Sequence, residues 1–258
     1  MVELIDLSGH VETGQPTFPG AQETRIWTSA SHEEVGLAWS AAVDEETESI
    51  RRKLAARRTG DETEHPLVRT LLVSEHGPTH VDAFSHLDPT SDGSVDRIPL
   101  ERFYGDAVGL DVSSVSEEAF VTESVLRSAL DAADLELRPG DAVTLHTGHR
   151  AATYAVDDPA GRRAYLTEYV GLSRDGATWL AEQGVGSIGV DAPSIDHGSA
   201  METKDYPAHD VCASHGLLNY ENMANLDAVA GRRYTLCAFP LKVRGGTGSP
   251  VRAVGIVD

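Results

Sequence analysis

Between Ala107 and Val190, short apolar runs alternate with stretches of helical spacing. No other feature of the chain constrains its fold as strongly. Ala107 to Val112, Asp141 to Thr147 and Val185 to Val190 read as strands, because short apolar runs bounded by turn residues fit buried sheet positions. Between them, Thr122 to Ala133 places Val125, Leu126, Ala129 and Leu130 on one helical face. Ser173 to Gln183 is a second helix, with Ser173 able to accept from an early N–H group. Val2 to Leu7 alternates enough for an edge strand, and Tyr234 to Val243 and Val251 to Val257 close the chain as strands with no helix between them. Helices therefore separate some strands and not others. The pattern predicts an α/β protein with a mixed β-sheet flanked by helices, not a strict doubly wound fold. The 258 residues suffice for one large domain, and no repeat or linker divides residues 1–258.

One stretch lies outside this alternation. Residues 31–66 are charged, and Glu45 to Arg58 carries its acids first and its Arg and Lys later, the order that suits a helix dipole. Ile50, Leu54 and Ala55 give only a narrow apolar stripe. The segment reads as an exposed helix between loops, either a solvated surface insertion or a lid. Leu71-Leu-Val73, which follows, reads as a short buried strand.

That strand runs into His76-Gly-Pro-Thr-His80-Val-Asp82-Ala-Phe-Ser-His86. Three imidazoles and one carboxylate fall at even offsets, so an extended chain would project them from one face. A bend at Gly77-Pro78 would still leave His80 and Asp82 side by side. A lone histidine is usually a surface or core residue. Four such groups in register point to a metal or acid/base site. Imidazole nitrogen and carboxylate oxygen are ligands for Zn²⁺ or Mn²⁺, and the lack of thiolate in the cluster favours an open, water-activating site over a closed structural one.

Composition narrows the partners. The net charge of −20 disfavours nucleic acid and anionic membrane, whose phosphates attract basic proteins. No apolar run is long enough to span a bilayer. The N-terminus lacks a basic region followed by an apolar stretch, so a cytoplasmic location is expected. Cys212 and Cys237 are too few for a disulfide framework and read as reduced thiols. Only Lys53, Lys204 and Lys242 accompany eighteen arginines. An acidic, lysine-poor surface of this kind suits a high-salt cytoplasm, so a halophilic source is expected.

The pattern His76-x-x-x-His80-x-Asp82-x-x-x-His86 resembles the signature of the metal-dependent cyclase family, which includes bacterial kynurenine formamidases and isatin hydrolases. Asp6-Leu-Ser with Phe18-Pro-Gly20 is similar to the family's N-terminal block, and Asp92-Gly through Ile98-Pro-Leu100, Leu172-Ser173, Gly189 to Asp196, Glu221-Asn222 with Asn225-Leu226, and Phe239-Pro-Leu241 are similar to its later blocks in the same order. Only about 31–66 falls outside. Two departures stand in the signature. Pro78 replaces a usual Gly and lacks a backbone donor, and Phe84 replaces a usual Pro.

The resemblance implies a swivelling β/β/α-like domain, with metal held by His76, His80 and Asp82 and by a later His and Glu twelve residues apart. His209 and Glu221 have that spacing and His215 does not. His86 is the implied acid/base, and one or two ions are open. Aromatics from the N-terminal loop, Phe18 and Trp27, are implied pocket walls, although core packing suits each as well, and Phe84 is expected to narrow the pocket. Asp191 and Ser194, and His146 and His149, sit at strand ends where either site or turn roles fit. Gly245-Gly-Thr-Gly248 lacks the Lys-Ser/Thr of a phosphate loop.

The resemblance therefore implies a metal-dependent hydrolase of a small amide, with N-formylkynurenine the first substrate. The rival is ring opening of a lactam or lactone such as isatin. A non-catalytic metal- or ligand-binding protein of the same fold would lack one of His86, Asp82 or Glu221, and all three are present. A homodimer or higher homo-oligomer is implied by the resemblance alone.

Overall fold

The apolar runs between residues 104 and 190 form the middle of a nine-stranded sheet among the described residues, which in this computed structural model are 2–18, 20–30, 68–86, 88, 90–155 and 158–258. In chain order the strands are β1 (Glu3–Asp6), β2 (Arg25–Ala30), β3 (Val68–Leu72), β4 (His80–Asp82), β5 (Tyr104–Asp111), β6 (Phe120–Val121), β7 (Ala142–His146), β8 (Gly171–Leu172), β9 (Ser187–Val190), β10 (Leu218–Glu221), β11 (Arg233–Cys237), β12 (Gly248–Pro250) and β13 (Val254–Val257). The helices are α1 (Glu123–Ala133), α2 (His149–Thr153), α3 (Pro159–Thr167), α4 (Arg174–Glu182), α5 (Ala200–Thr203) and α6 (Pro207–His215). The main sheet runs β1-β13-β11-β5-β7-β9-β10-β4-β12.

Its centre, β5-β7-β9-β10, is parallel, and every pairing on either side is antiparallel. The division follows the connections, since parallel neighbours need a crossover and antiparallel ones do not. Helix α1 separates β5 from β7, α4 separates β7 from β9, and α6 separates β9 from β10. Thr122 and Ser173 cap α1 and α4, accepting from the amides of Val125 and Gly176. Leu126 and Leu130 of α1, Trp179 and Leu180 of α4 and Val211 of α6 pack with Leu110, Leu145 and Ile188 into one core.

Among the described residues the other face has no helical cover of that kind, and it closes on itself. Only residues 251–253 separate β12 from β13, yet these strands lie toward opposite ends of the sheet order. Seven strand spacings would place them roughly 34 Å apart in a flat sheet. Four residue steps reach at most about 14 Å, so the sheet must curl. Inside the curl, Val81 and Tyr220 from one end meet Tyr234 and Leu236 from the other, with Leu7, Phe103 and Met223 between them.

Several expected boundaries shift. The strand expected over Tyr234 to Val243 ends at Cys237, before Pro240, which has no N–H for a ladder. The strand expected from Val251 begins at Val254. Leu71 and Leu72, expected to be buried, are exposed on β3, which among the described residues pairs only with β2, in a separate ribbon. Their apolar character reflected β-strand preference and not burial. The helix expected at Glu45 to Arg58, with the rest of 31–66, lies outside the described residues.

Candidate metal centre

Strand β4 places His80 and Asp82 two residues apart, on one face. Strand β10 runs antiparallel beside it with Glu221 opposite His80, so a carboxylate meets an imidazole across the ladder. Helix α6, which leads into β10, supplies His209. His76 comes from before the bend at Gly77-Pro78, where the peptide bond is cis. His86 sits on a 3₁₀ turn over Phe84–His86. The even-offset argument therefore holds for His80 and Asp82, while His76 and His86 arrive by turns.

The six side chains meet. Asp82 Oδ1 lies 2.7 Å from His76 Nδ1 and 3.3 Å from His80 Nε2, and Asp82 Oδ2 lies 3.4 Å from His209 Nε2. Glu221 closes the group, at 3.5 Å from His80 Nε2 and 3.4 Å from His209 Nε2. The His86 ring centroid is 4.0 Å from that of His76 and 6.1 Å from that of His209.

These separations test whether a divalent ion fits. Ligand atoms about 2.0–2.1 Å from one tetrahedral ion stand roughly 3.3 Å from each other. The four contacts of 3.3–3.5 Å match that edge and are long for hydrogen bonds. The outer nitrogens are already committed. His80 Nδ1 lies 2.9 Å from the Pro78 carbonyl oxygen, and His209 Nδ1 lies 2.6 Å from Asp196 Oδ2. Each acceptor makes that nitrogen the N–H and leaves Nε2 as the free donor atom facing inward. Pro78 thus serves through its carbonyl, and its missing N–H costs the site nothing.

Asp196 is fully buried; the sequence marks it only as the end of a family block, with no role assigned. Its carboxylate also accepts from the backbone of Ala208 at 2.7 Å and of His209 at 3.2 Å, so one side chain caps α6 and aims its ligand. Thr247 does similar work on the other side, 2.9 Å from His76 Nε2 while bonded to Glu75. Gly248 follows in β12, where a Cβ would stand 2.6 Å from the His76 ring. The glycine-rich run is therefore the backing of a ligand.

Electrostatics agree with a cation site. Burial opposes charge on His80, but Asp82 and Glu221 overcome it and push the imidazole up to about 10. His209 is likewise raised against burial by Asp196 and Asp82. Burial would raise the Asp82 carboxyl, but His209, His76 and His80 hold it well below its ordinary range. A buried pair of carboxylates gathers positive charge at one point, and a divalent ion supplies that charge with the donor geometry already set. His86 differs: burial of its ring is the largest cause holding its pKa below the usual imidazole value, with His76 and His209 adding to it.

A cavity of about 410 Å³ opens above the cluster. Phe18, Leu166, Tyr165, Tyr206, His86, Glu221 and Asn222 are among the residues that line it. Phe18 is among the lining residues. Trp27 is not: it lies on the β2–β3 ribbon, 46% exposed, and does not line this cavity. Phe84 also misses the cavity. It packs against the inner core with the Arg102 guanidinium 5.4 Å from its ring and does not line this cavity. His215 bonds back to its own helix through the Val211 carbonyl, away from the cluster. Ser194 reaches the cavity, whereas Asp191 binds the amides of Thr147 and Gly148. His146 pairs with Asp191, and His149 is buried on the Tyr165 carbonyl. Tyr165, Tyr206 and Asp196 gave no local sequence signal because tertiary packing alone brings them to the site.

The model of the family described as putative cyclase matches residues 5–197. A kynurenine formamidase from Salinibacter ruber is 30% identical over 251 residues, which cover 97% of this chain and 96% of that protein. An isatin hydrolase from Roseibium aggregatum is 30% identical over 202 residues, 72% of this chain and 73% of that protein. Isatin hydrolase A from Ralstonia solanacearum superposes with a TM-score of 0.78 at 21% identity, covering 100% of this chain and 92% of that one. Fold, site and relatives together define a metal-dependent hydrolase of amide carbon–nitrogen bonds. The chain belongs to the cyclase family.

Proposed function

We propose that this protein is an arylformamidase that cleaves the formamide of N-formylkynurenine or a close analogue, releasing formate and the free aromatic amine. The observation that carries this reading is the 30% identity to a kynurenine formamidase along 97% of the chain. The cavity suits it: aromatic side chains and members of the imidazole–carboxylate cluster line it together. His76, His80, Asp82, His209 and Glu221 would hold the ion, Zn²⁺ or Mn²⁺, since an all-nitrogen-and-oxygen set serves both. Such an ion, when bound, lowers the pKa of water and polarises a carbonyl. Asp82 shares its carboxylate between two groups of donors, so either one or two ions can be served.

His86 has the position and charge state for the proton steps. With its pKa held below the usual value, the ring is neutral near pH 7 and accepts a proton from the attacking water. It then returns that proton to the departing nitrogen, without which an amide leaves poorly. Phe18, Tyr165 and Tyr206 hold the aryl ring and keep bulk water off the reacting carbon.

The working form is inferred to be a cytoplasmic homodimer or higher homo-oligomer adapted to high salt. Among the described residues no helix is long and apolar enough to cross a membrane.

Parallel assays of the metal-loaded protein on N-formylkynurenine and on isatin test the reading. Turnover of the first is expected; turnover of isatin alone would replace it with lactam ring opening. Elemental analysis of the same sample reports which metal is bound and how many ions.

A further inference from the structure

Asn222 follows Glu221 directly and lines the same cavity. Its side chain is held by a buried phenol. Tyr165, 2% exposed, donates its hydroxyl hydrogen to Asn222 Oδ1, which fixes the amide orientation. Burial also pushes the Tyr165 pKa up, so the proton stays on the phenol.

The backbone is fixed as well. Asn222 lies in the left-handed region at φ 55°, and its carbonyl accepts from Thr79 Oγ1 at 2.5 Å, next to His80. Its Nδ2 has no hydrogen-bond partner among the described residues, nor is it sealed from solvent. A rigid amide with an unused NH₂ beside a buried carboxylate–imidazole cluster is a donor waiting for an acceptor in the cavity.

We propose that Asn222 is a catalytic residue whose Nδ2 donates to the scissile carbonyl oxygen as negative charge develops there, and that Tyr165 is its positioning residue. This rests on the amide-hydrolase reading and adds to it the protein's own oxyanion donor. A donor aimed at developing charge acts on the transition state more than on the bound substrate. Its removal therefore lowers kcat and leaves KM little changed.

The test compares Asn222→Gly, which tolerates a positive φ, Tyr165→Phe and the double variant, all as metal-loaded protein. Wild type is assayed first on N-formylkynurenine and isatin, and the variants on whichever it turns over, so failure of the substrate reading is seen separately. Asn222→Gly is expected to keep its metal by elemental analysis and lose on the order of 10²-fold in kcat with KM little changed. Tyr165→Phe should lose less, and the double variant no more than Asn222→Gly alone. A kcat for Asn222→Gly within about threefold of wild type, a loss confined to KM, or additive losses in the double variant would each overturn the proposal. Metal lost together with activity in Asn222→Gly would also overturn it, by making the residue a support of Glu221.

Discussion

Asp82 shows how one side chain can be committed from several directions. It is 3% exposed, and three imidazoles approach its two oxygens. Removing it takes away both the charge and the shared ligand, whereas removing His86 takes away a ring at the cavity edge. The two substitutions should therefore separate. His86→Ala is expected to keep its metal and lose activity by a factor on the order of 10² or more; Asp82→Ala should lose both. Elemental analysis beside the assay decides, and undiminished turnover in His86→Ala would remove that residue from the mechanism. The raised imidazoles add a second expectation. Protons on His80 and His209 must leave when an ion takes their Nε2 atoms. Metal binding should release protons and weaken as pH falls. Calorimetry in buffers of different ionisation enthalpy measures this directly, and a binding enthalpy that does not vary with buffer would contradict it.

At the scale of elements, the carboxylates that hold loops and helix ends matter as much as the ligands. Asp196 joins the first turn of α6 to His209. In Asp196→Asn the imidazole loses the charged acceptor that sets its tautomer. Metal affinity should fall roughly 10–100-fold, read by competition with a chelator, and unchanged affinity would deny Asp196 its orienting role. Asp191 performs the same service at the end of β9. Its carboxylate accepts from Thr147 Oγ1 at 2.6 Å and from the amides of Thr147 and Gly148 at 2.8 and 2.9 Å. Burial opposes its ionisation, but His146 and Thr147 outweigh burial and hold the carboxyl below its usual range. A depressed folded pKa means stability that is present above the unfolded value, about 3.9, and lost as pH falls through the folded one. Asp191→Asn should therefore melt below wild type at neutral pH, with the gap closing below about pH 4. A gap independent of pH would assign the loss to packing.

For the whole molecule the dominant quantity is charge. A net charge of −20 on 258 residues, with only three lysines, makes the folded state repel itself in dilute buffer. Salt screens that repulsion, with a Debye length of about 10 Å at 0.1 M falling to about 3 Å at 1 M. The melting temperature should rise from low to molar salt, and thermal unfolding at the two concentrations checks it. A flat or falling curve would count against a halophilic origin. The curl of the sheet also belongs to this scale. It sets Val81 and Tyr220 against Tyr234 and Leu236, closing the core beneath β4 and β10 and holding the ligand-bearing strands in fixed register.

The sequence by itself determined the alternating centre of the fold and most of the cluster. Helix and strand periodicity and capping are local, so α1, α4 and the parallel strands β5, β7 and β9 were readable from side chains that are neighbours in the chain. His80 and Asp82 were readable for the same reason, since a two-residue strand period puts them together. His209 and Glu221 came only through a family spacing, because nothing local ties α6 and β10 to β4. Tertiary structure alone decided the curl, the cap that Asp196 provides, the bond from Tyr165 to Asn222, and the positions of Trp27 and Phe84 outside the cavity. Each depends on contacts between residues far apart in sequence, and aromatic or carboxylate identity says nothing about which distant partner a side chain meets once the sheet has closed.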